Sequence, residues 1–444
     1  MAETQLKRSL GLWSALALVI GTVIGSGIFF KQASVLQMTG STNLALLAWF
    51  LGGVITLADG LTLSEIGSQF PHTGGLYQYM AHIYGELWGF LSGWMQIIVY
   101  APAIVGSIAG YLGLLVVNFF GLGAAWKAPI AIGTIVVIAL LNMLENRYGA
   151  AFAIVTTICK LLPIVAIIVF GLFFGHEQAI GETVAGIHQS VGNFGVAVLG
   201  TIFAYDGWIL ITNLGGELKR PERLLPLAII IGILIIIVLY LGVTFGIFRS
   251  LSANKINELG QNATAYFALN AFGSFGGRLV NIGIMVSIIG ALNGKMMTFP
   301  RIYYAMAAKK QLPFAKQIAH LNRRTQTPVV ATCILLVLTS AMILTVDTDR
   351  LSELCIFVMY SFYIAAFAGV FILRHRNGGA PQGFKIPLYP VVPVVAILGT
   401  GFVVISELCF DVTGTLISII FIALGIPLYY WLKHHYGNDE IDVI

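Results

Sequence analysis

Residues 21–29 read GTVIGSGIF and lie inside a stretch from Ser9 to Phe30 that carries no charged side chain. That stretch is long enough to span a bilayer, since a crossing helix takes about 20 apolar residues. Its centre nevertheless holds Gly21, Gly25 and Gly27, and each glycine costs about 1 kcal/mol relative to alanine in a helix interior. Backbone groups freed by an interrupted helix find no water in lipid, so an interruption here must be buried in protein or line a cavity.

The rest of the chain sets the class. Of 444 residues, 58% are hydrophobic and 10% charged, where a soluble domain carries about 25% charged residues. The sequence reads as an all-α membrane protein. Twelve apolar runs of spanning length fall near 10–36, 42–69, 84–118, 127–145, 149–174, 191–216, 223–247, 273–306, 327–346, 351–373, 388–408 and 412–432. Lys7 and Arg8 precede the first run, but no small-residue cleavage site followed by a soluble domain is present, so the run reads as a retained helix. With the N-terminus in the cytoplasm, sixteen lysines and arginines fall on inner segments and six on outer ones, namely Lys31, Lys127, Arg249, Lys255, Arg278 and Arg350. That bias obeys the positive-inside rule and puts both termini in the cytoplasm. The net charge of +5 therefore reports topology, and nucleic acid is not implied.

Cys159, Cys333, Cys355 and Cys409 all lie within or at the ends of apolar runs, without a CxxC or Cys/His cluster. They read as small buried hydrophobes, and neither a metal nor a cofactor is expected. The sequon Asn262-Ala263-Thr264 falls on an outer loop. The basic inner loop of 305–327 reads as a contact with lipid head groups.

Ionisable groups at membrane depth are costly and mark cavities or partners. Asp59, Glu65, Lys160, Asp206, Lys295 and Glu407 are the candidates. Glu65 reads as a tie between helices, while Glu407 and Lys295 stand near helix ends, where a side chain can reach the interface. Lys160, in ICKLLP, stands about 16 Å into the fifth run at 1.5 Å per residue, too deep to reach water easily. Asp206, in FAYDGW, sits beside Gly207 in the middle of the sixth run. The first and sixth runs thus both carry a break near the midplane.

Paired broken helices are the mark of secondary transporters built from inverted repeats. Free N–H groups at the start of the outer half-helix, around Ser26, Gly27 and Ile28, suit a carboxylate, and free carbonyls around Phe203 and Ala204 suit an ammonium. Together they match the backbone of an α-amino acid. Side-chain pocket candidates are Ala103 and Val105 on the third run, Asn293 on the eighth and Tyr360 on the tenth.

GSGIF at 25–29, EIGSQFPHTGGLYQY at 65–79, FAYDGW at 203–208, GGELKRPER at 215–223 and SIIGALNG at 287–294 together resemble the amino acid, polyamine and organocation superfamily. Within it the chain resembles the L-amino-acid transporter family, near its bacterial serine/threonine and alanine/serine/cysteine exchangers. The resemblance implies a 5+5 inverted repeat plus two peripheral helices, divided at 1–180, 181–378 and 379–444. It also implies sodium-independent exchange of small neutral L-amino acids in the cell membrane. On this chain the substrate carboxylate would meet Ser26 and Gly27, the ammonium would meet carbonyls near Ile24 and Phe203, and Phe203 would be the outer gate. Lys160 would stand in for a sodium ion, linking the Gly25 carbonyl to Ser287. Pro71, Gly74 and Gly75 would lie in an inner loop over the cytoplasmic exit.

Two features depart from that pattern. The loop 121–127, GLGAAWK, lacks the cysteine by which human relatives hold a heavy chain, so no disulfide-linked partner is expected. Asp206 is not universal in the family, and it leaves open a proton-coupled symporter or a cationic amino acid transporter. A membrane sensor that binds an amino acid without moving it is a further alternative of another class. An enzyme is disfavoured, because paired catalytic carboxylates, a histidine-rich metal set and a GxSxG elbow are all missing.

Overall fold

The computed structural model describes residues 11–70, 74–144, 146–176, 179–184, 190–322, 325, 327–378 and 383–436. These residues are helical apart from connections and one isolated antiparallel bridge, Ser41 to Thr183. In chain order the helices are α1 (Leu12–Val23), α2 (Gly27–Thr39), α3 (Thr42–Gln69), α4 (Leu76–Tyr84), α5 (Glu86–Met95), α6 (Ala101–Phe120), α7 (Lys127–Leu144), α8 (Asn146–Phe174) and α9 (Val191–Tyr205). They continue as α10 (Pro221–Phe248), α11 (Ala253–Leu259), α12 (Ala263–Thr298), α13 (Pro300–Ala308), α14 (Ala315–Ile318), α15 (Val329–Thr345), α16 (Thr348–Arg376), α17 (Val391–Phe410) and α18 (Val412–Tyr436).

Among the described residues, nine helical segments are long and apolar enough to cross a membrane, and the pair α1–α2, bent by 45°, makes a tenth. The sixth and ninth runs carry shorter apolar helices, α9 and α15. α9 is short because the chain leaves the helix at Asp206, with ψ 145°. Gly207 then takes φ +121°, and a 3₁₀ segment resumes over Trp208–Glu217. The third run joins α5 to α6 through a π turn over Gln96–Tyr100. α12 kinks at Gly273, the first residue of the eighth run, with φ +68°.

α3 packs along α10 and α8 along α12, while α2 lies against α9. One apolar core runs through these contacts, with Trp49, Trp208 and Tyr240 fully buried within it. Outward faces carry Leu, Ile, Val and Phe side chains such as Val238, Leu398 and Phe173, as a lipid-facing surface requires. Cys355 is buried and Cys159 half-buried. Cys333 and Cys409 are exposed, which corrects the reading of all four as buried. Pro71, Lys7, Arg8, Arg323 and Arg324 lie outside the described residues. Gly75 stands against Thr212 and Asn213, and the Tyr77 hydroxyl donates to Gln311 at 2.7 Å.

Candidate substrate site at the paired helix breaks

The first helix stops at Ile24, whose ψ of 99° is extended, and restarts at Gly27. Phe29 and Phe30 donate their N–H groups to Ser26 O at 3.0 and 3.1 Å. Gly27 and Ile28, in the first turn of α2, have no acceptor within the helix. Ser26 Oγ is buried and without a partner. This end of α2 is therefore a buried set of donors with the positive end of the helix dipole behind it.

Gly27 has a second reason to be glycine. A Cβ there would stand 2.4 Å from Ala204 Cα, so α2 and α9 meet backbone to backbone at their breaks. Likewise a Cβ on Gly207 would lie 2.7 Å from Thr22 O. The glycines first of all let the two interrupted helices touch.

Lys160, fully buried on α8, donates to Gly21 O at 2.6 Å and Ile24 O at 2.8 Å. Both carbonyls belong to the last turn of the inner half-helix, freed because α1 does not continue. The expected partners differ in detail: the ammonium reaches these two carbonyls in place of Gly25 O, and Ser287 Oγ is left without a partner. The Lys160 ammonium thus reaches the carbonyls one residue and one helical turn before Gly25.

Asp206 is also committed. Its Oδ2 lies 3.0 Å from Lys295 Nζ, and Tyr100 donates to its two oxygens at 2.9 and 3.0 Å. Lys295 is 1% exposed, so its expected reach to the interface is corrected: it turns inward to meet the carboxylate. The π turn before α6 delivers Tyr100 to the same place. Removing one member of such a buried pair leaves an uncompensated charge, which costs about 3–5 kcal/mol.

The carbonyls expected to be free are in part engaged. Phe203 O accepts from Asp206 N at 3.3 Å. Ala204 O accepts from the Tyr240 hydroxyl at 2.9 Å.

Between the breaks lies a cavity of about 10 Å³, lined by Thr22, Val23, Gly25, Ser26, Gly27, Ile104, Ile108, Phe203, Asp206 and Lys295. That is room for about one water. The space is too small for an amino acid, with Phe203 and the two α6 isoleucines among its walls. Ala103, Val105, Asn293 and Tyr360 are buried but do not line this space. Asn293 Oδ1 instead accepts from Asn142 at 2.9 Å.

The other ionisable candidates do not line this space. Glu65 takes two bonds from Arg374, at 2.8 and 2.6 Å, and one from Ile386 N, a tie between α3 and α16. Asp59, fully buried, accepts from Thr400 at 3.2 Å. Glu407 is 4% exposed with Oε2 unpartnered, so it does not reach the interface as expected. A cation placed on an outer segment by sequence, Lys31, is instead buried on α2 and paired with Asp349 at 2.9 Å. Its position two residues after GSGIF was the available signal.

The profile of the amino acid permease family matches residues 10–430. The chain is 47% identical to the serine/threonine exchanger SteT of Bacillus subtilis (strain 168), over 97% of this chain and 98% of that one. It is 30% identical to the human cystine/glutamate transporter, over 96% of this chain and 86% of the relative. It is 29% identical to the mouse Asc-type amino acid transporter 1, over 96% and 81%. With the match running through both breaks and nearly all the helices around them, the chain belongs to the amino acid permease family.

Proposed function

We propose that this multi-pass membrane protein is a sodium-independent exchanger of small neutral L-amino acids, working by alternating access in the cell membrane. The observation that carries the reading is Lys160, whose ammonium occupies the freed carbonyls of α1. A fixed cation organises those carbonyls as a bound metal ion would, without an ion gradient. The serine/threonine exchanger among the relatives supports the substrate class, and this chain needs no disulfide-linked heavy chain.

In this reading the substrate carboxylate meets the N–H groups of Gly27 and Ser26, while the ammonium turns to carbonyl oxygens at the two breaks, Phe203 O among them; Ile24 O, expected to be free, is already taken by Lys160. Phe203 closes the site from the outer side, and the 5+5 repeat supplies the two breaks. Ile104 and Ile108, which line the space between the breaks, are added to Ala103 and Val105 as walls for a small side chain. Asp206 is paired with Lys295 and accepts from Tyr100, which removes the free carboxylate that a cationic substrate or a coupled proton would use.

The test is uptake of labelled serine or alanine into vesicles that are empty or preloaded with unlabelled amino acid, with and without sodium and a pH gradient. Uptake into preloaded vesicles only, indifferent to both gradients, is expected, with Lys160→Ala reducing it at least tenfold. Gradient-driven uptake into empty vesicles would replace exchange by symport, and binding without flux would identify a sensor.

A further inference from the structure

Lys31 follows Phe30 on α2 and is 1% exposed. An ammonium so deeply buried is costly unless paired, and it is paired with care: its Nζ lies 2.9 Å from Asp349 Oδ1 at the start of α16. Tyr111 of α6 donates to the same oxygen, and the Gln261 amide donates to Oδ2. One carboxylate thus gathers α2, α6, α16 and the segment ahead of α12. The ammonium held there lies 5.7 Å from the centroid of the Phe203 ring, within the roughly 6 Å over which a cation is attracted to an aromatic face. Tyr111 meets the same ring at 6.2 Å and stacks on Phe30 at 4.8 Å. Phe203 is thereby gripped from above by groups that do not line the cavity beneath it.

We infer that Lys31 is a positioning residue: held by Asp349, its ammonium fixes the Phe203 ring over the substrate space and so sets how tightly the substrate is retained. This rests on the proposed reading, in which Phe203 closes the site. Opening must move α2 or α9, and either motion separates the cation from the ring or from its carboxylate. A bound amino acid beneath Phe203 favours the closed arrangement, and the grip on the ring adds to its affinity. The pair alone would be a structural tie; the cation above the ring gives it a bearing on substrate.

Two readouts separate this inference from the function beneath it: binding of labelled serine to the purified chain, and serine exchange in preloaded vesicles. Lys31→Met is expected to weaken binding about tenfold, in line with a desolvated cation–aromatic contact, with the maximal exchange rate changed far less. Lys31→Arg should retain near-normal affinity. Exchanging the charges, Lys31→Asp with Asp349→Lys, should recover thermal stability while affinity stays weak, because the cation no longer stands on α2. In a Phe203→Leu background, Lys31→Met should add nothing. Unchanged affinity in Lys31→Met, affinity restored by the charge exchange, or an undiminished effect of Lys31→Met in Phe203→Leu would each overturn the inference. Wild-type binding without exchange would count against the exchanger alone, and absence of wild-type serine binding would count against both.

Discussion

Asp206 and Lys295 show how far a single residue is legible. The sequence marks both as costly charges inside apolar runs, yet it gives no facing partner, and a lysine near a helix end reads equally well as reaching for water. In the fold the two are 3.0 Å apart with a third partner in Tyr100. Because each neutralises the other, Asp206→Asn or Lys295→Met alone is expected to cost about 3–5 kcal/mol by stranding a buried charge. The double substitution should lose less than either single one, since no charge then remains. Thermal unfolding of the four proteins in one detergent checks this; additive losses would mean that the pair is not coupled. Lys160 was legible for a firmer reason, its depth in the fifth run, but its partners were not. Which carbonyls it reaches depends on where α1 ends, and that lies within a turn that sequence does not resolve.

The helical elements were legible where periodicity and punctuation agree, and less so where the helix changes type. Glycine and aspartate foretold both breaks, at 24–27 and at 206–207. On α6 it is Ile104 and Ile108 that line the small space between the breaks, while the expected Ala103 and Val105 are buried beside it. The π turn at Gln96–Tyr100, a rare element that no residue in QIIVY announces, lies just ahead of them. The break elements also yield a sharp prediction. Gly27→Ala gains about 1 kcal/mol of helix propensity, but its Cβ would lie 2.4 Å from Ala204 Cα and 3.1 Å from Ala204 N. Exchange should fall at least tenfold, and Ala204→Gly should not restore it, because removing the Ala204 Cβ at 2.6 Å still leaves its Cα at 2.4 Å. Full activity in Gly27→Ala would show that α2 and α9 separate at no cost.

At the scale of the molecule, hydropathy alone yields the run of helices, while the two short ones, α9 and α15, are where counting by length falls short. Length fails at α9 because a span that breaks for function stops being one helix. Charge supplies what hydropathy lacks, a direction. The excess of lysine and arginine on alternate connections, together with Arg374, Arg376 and Lys433 at the ends of α16 and α18, supports the proposal that those ends face the cytoplasm. Lys31 must be removed from the outer count, since its charge is spent inside the protein on Asp349, and the asymmetry then grows. In that proposed orientation the exposed residues Ala125, ahead of α7, and His434, near the end of α18, lie on opposite sides. In sealed cells a membrane-impermeant thiol reagent should label Ala125→Cys above the wild-type background. His434→Cys should be labelled only after the membrane is opened. The reverse pattern would invert the bundle, placing the Lys31–Asp349 pair at the inner mouth and making Phe203 an inner gate.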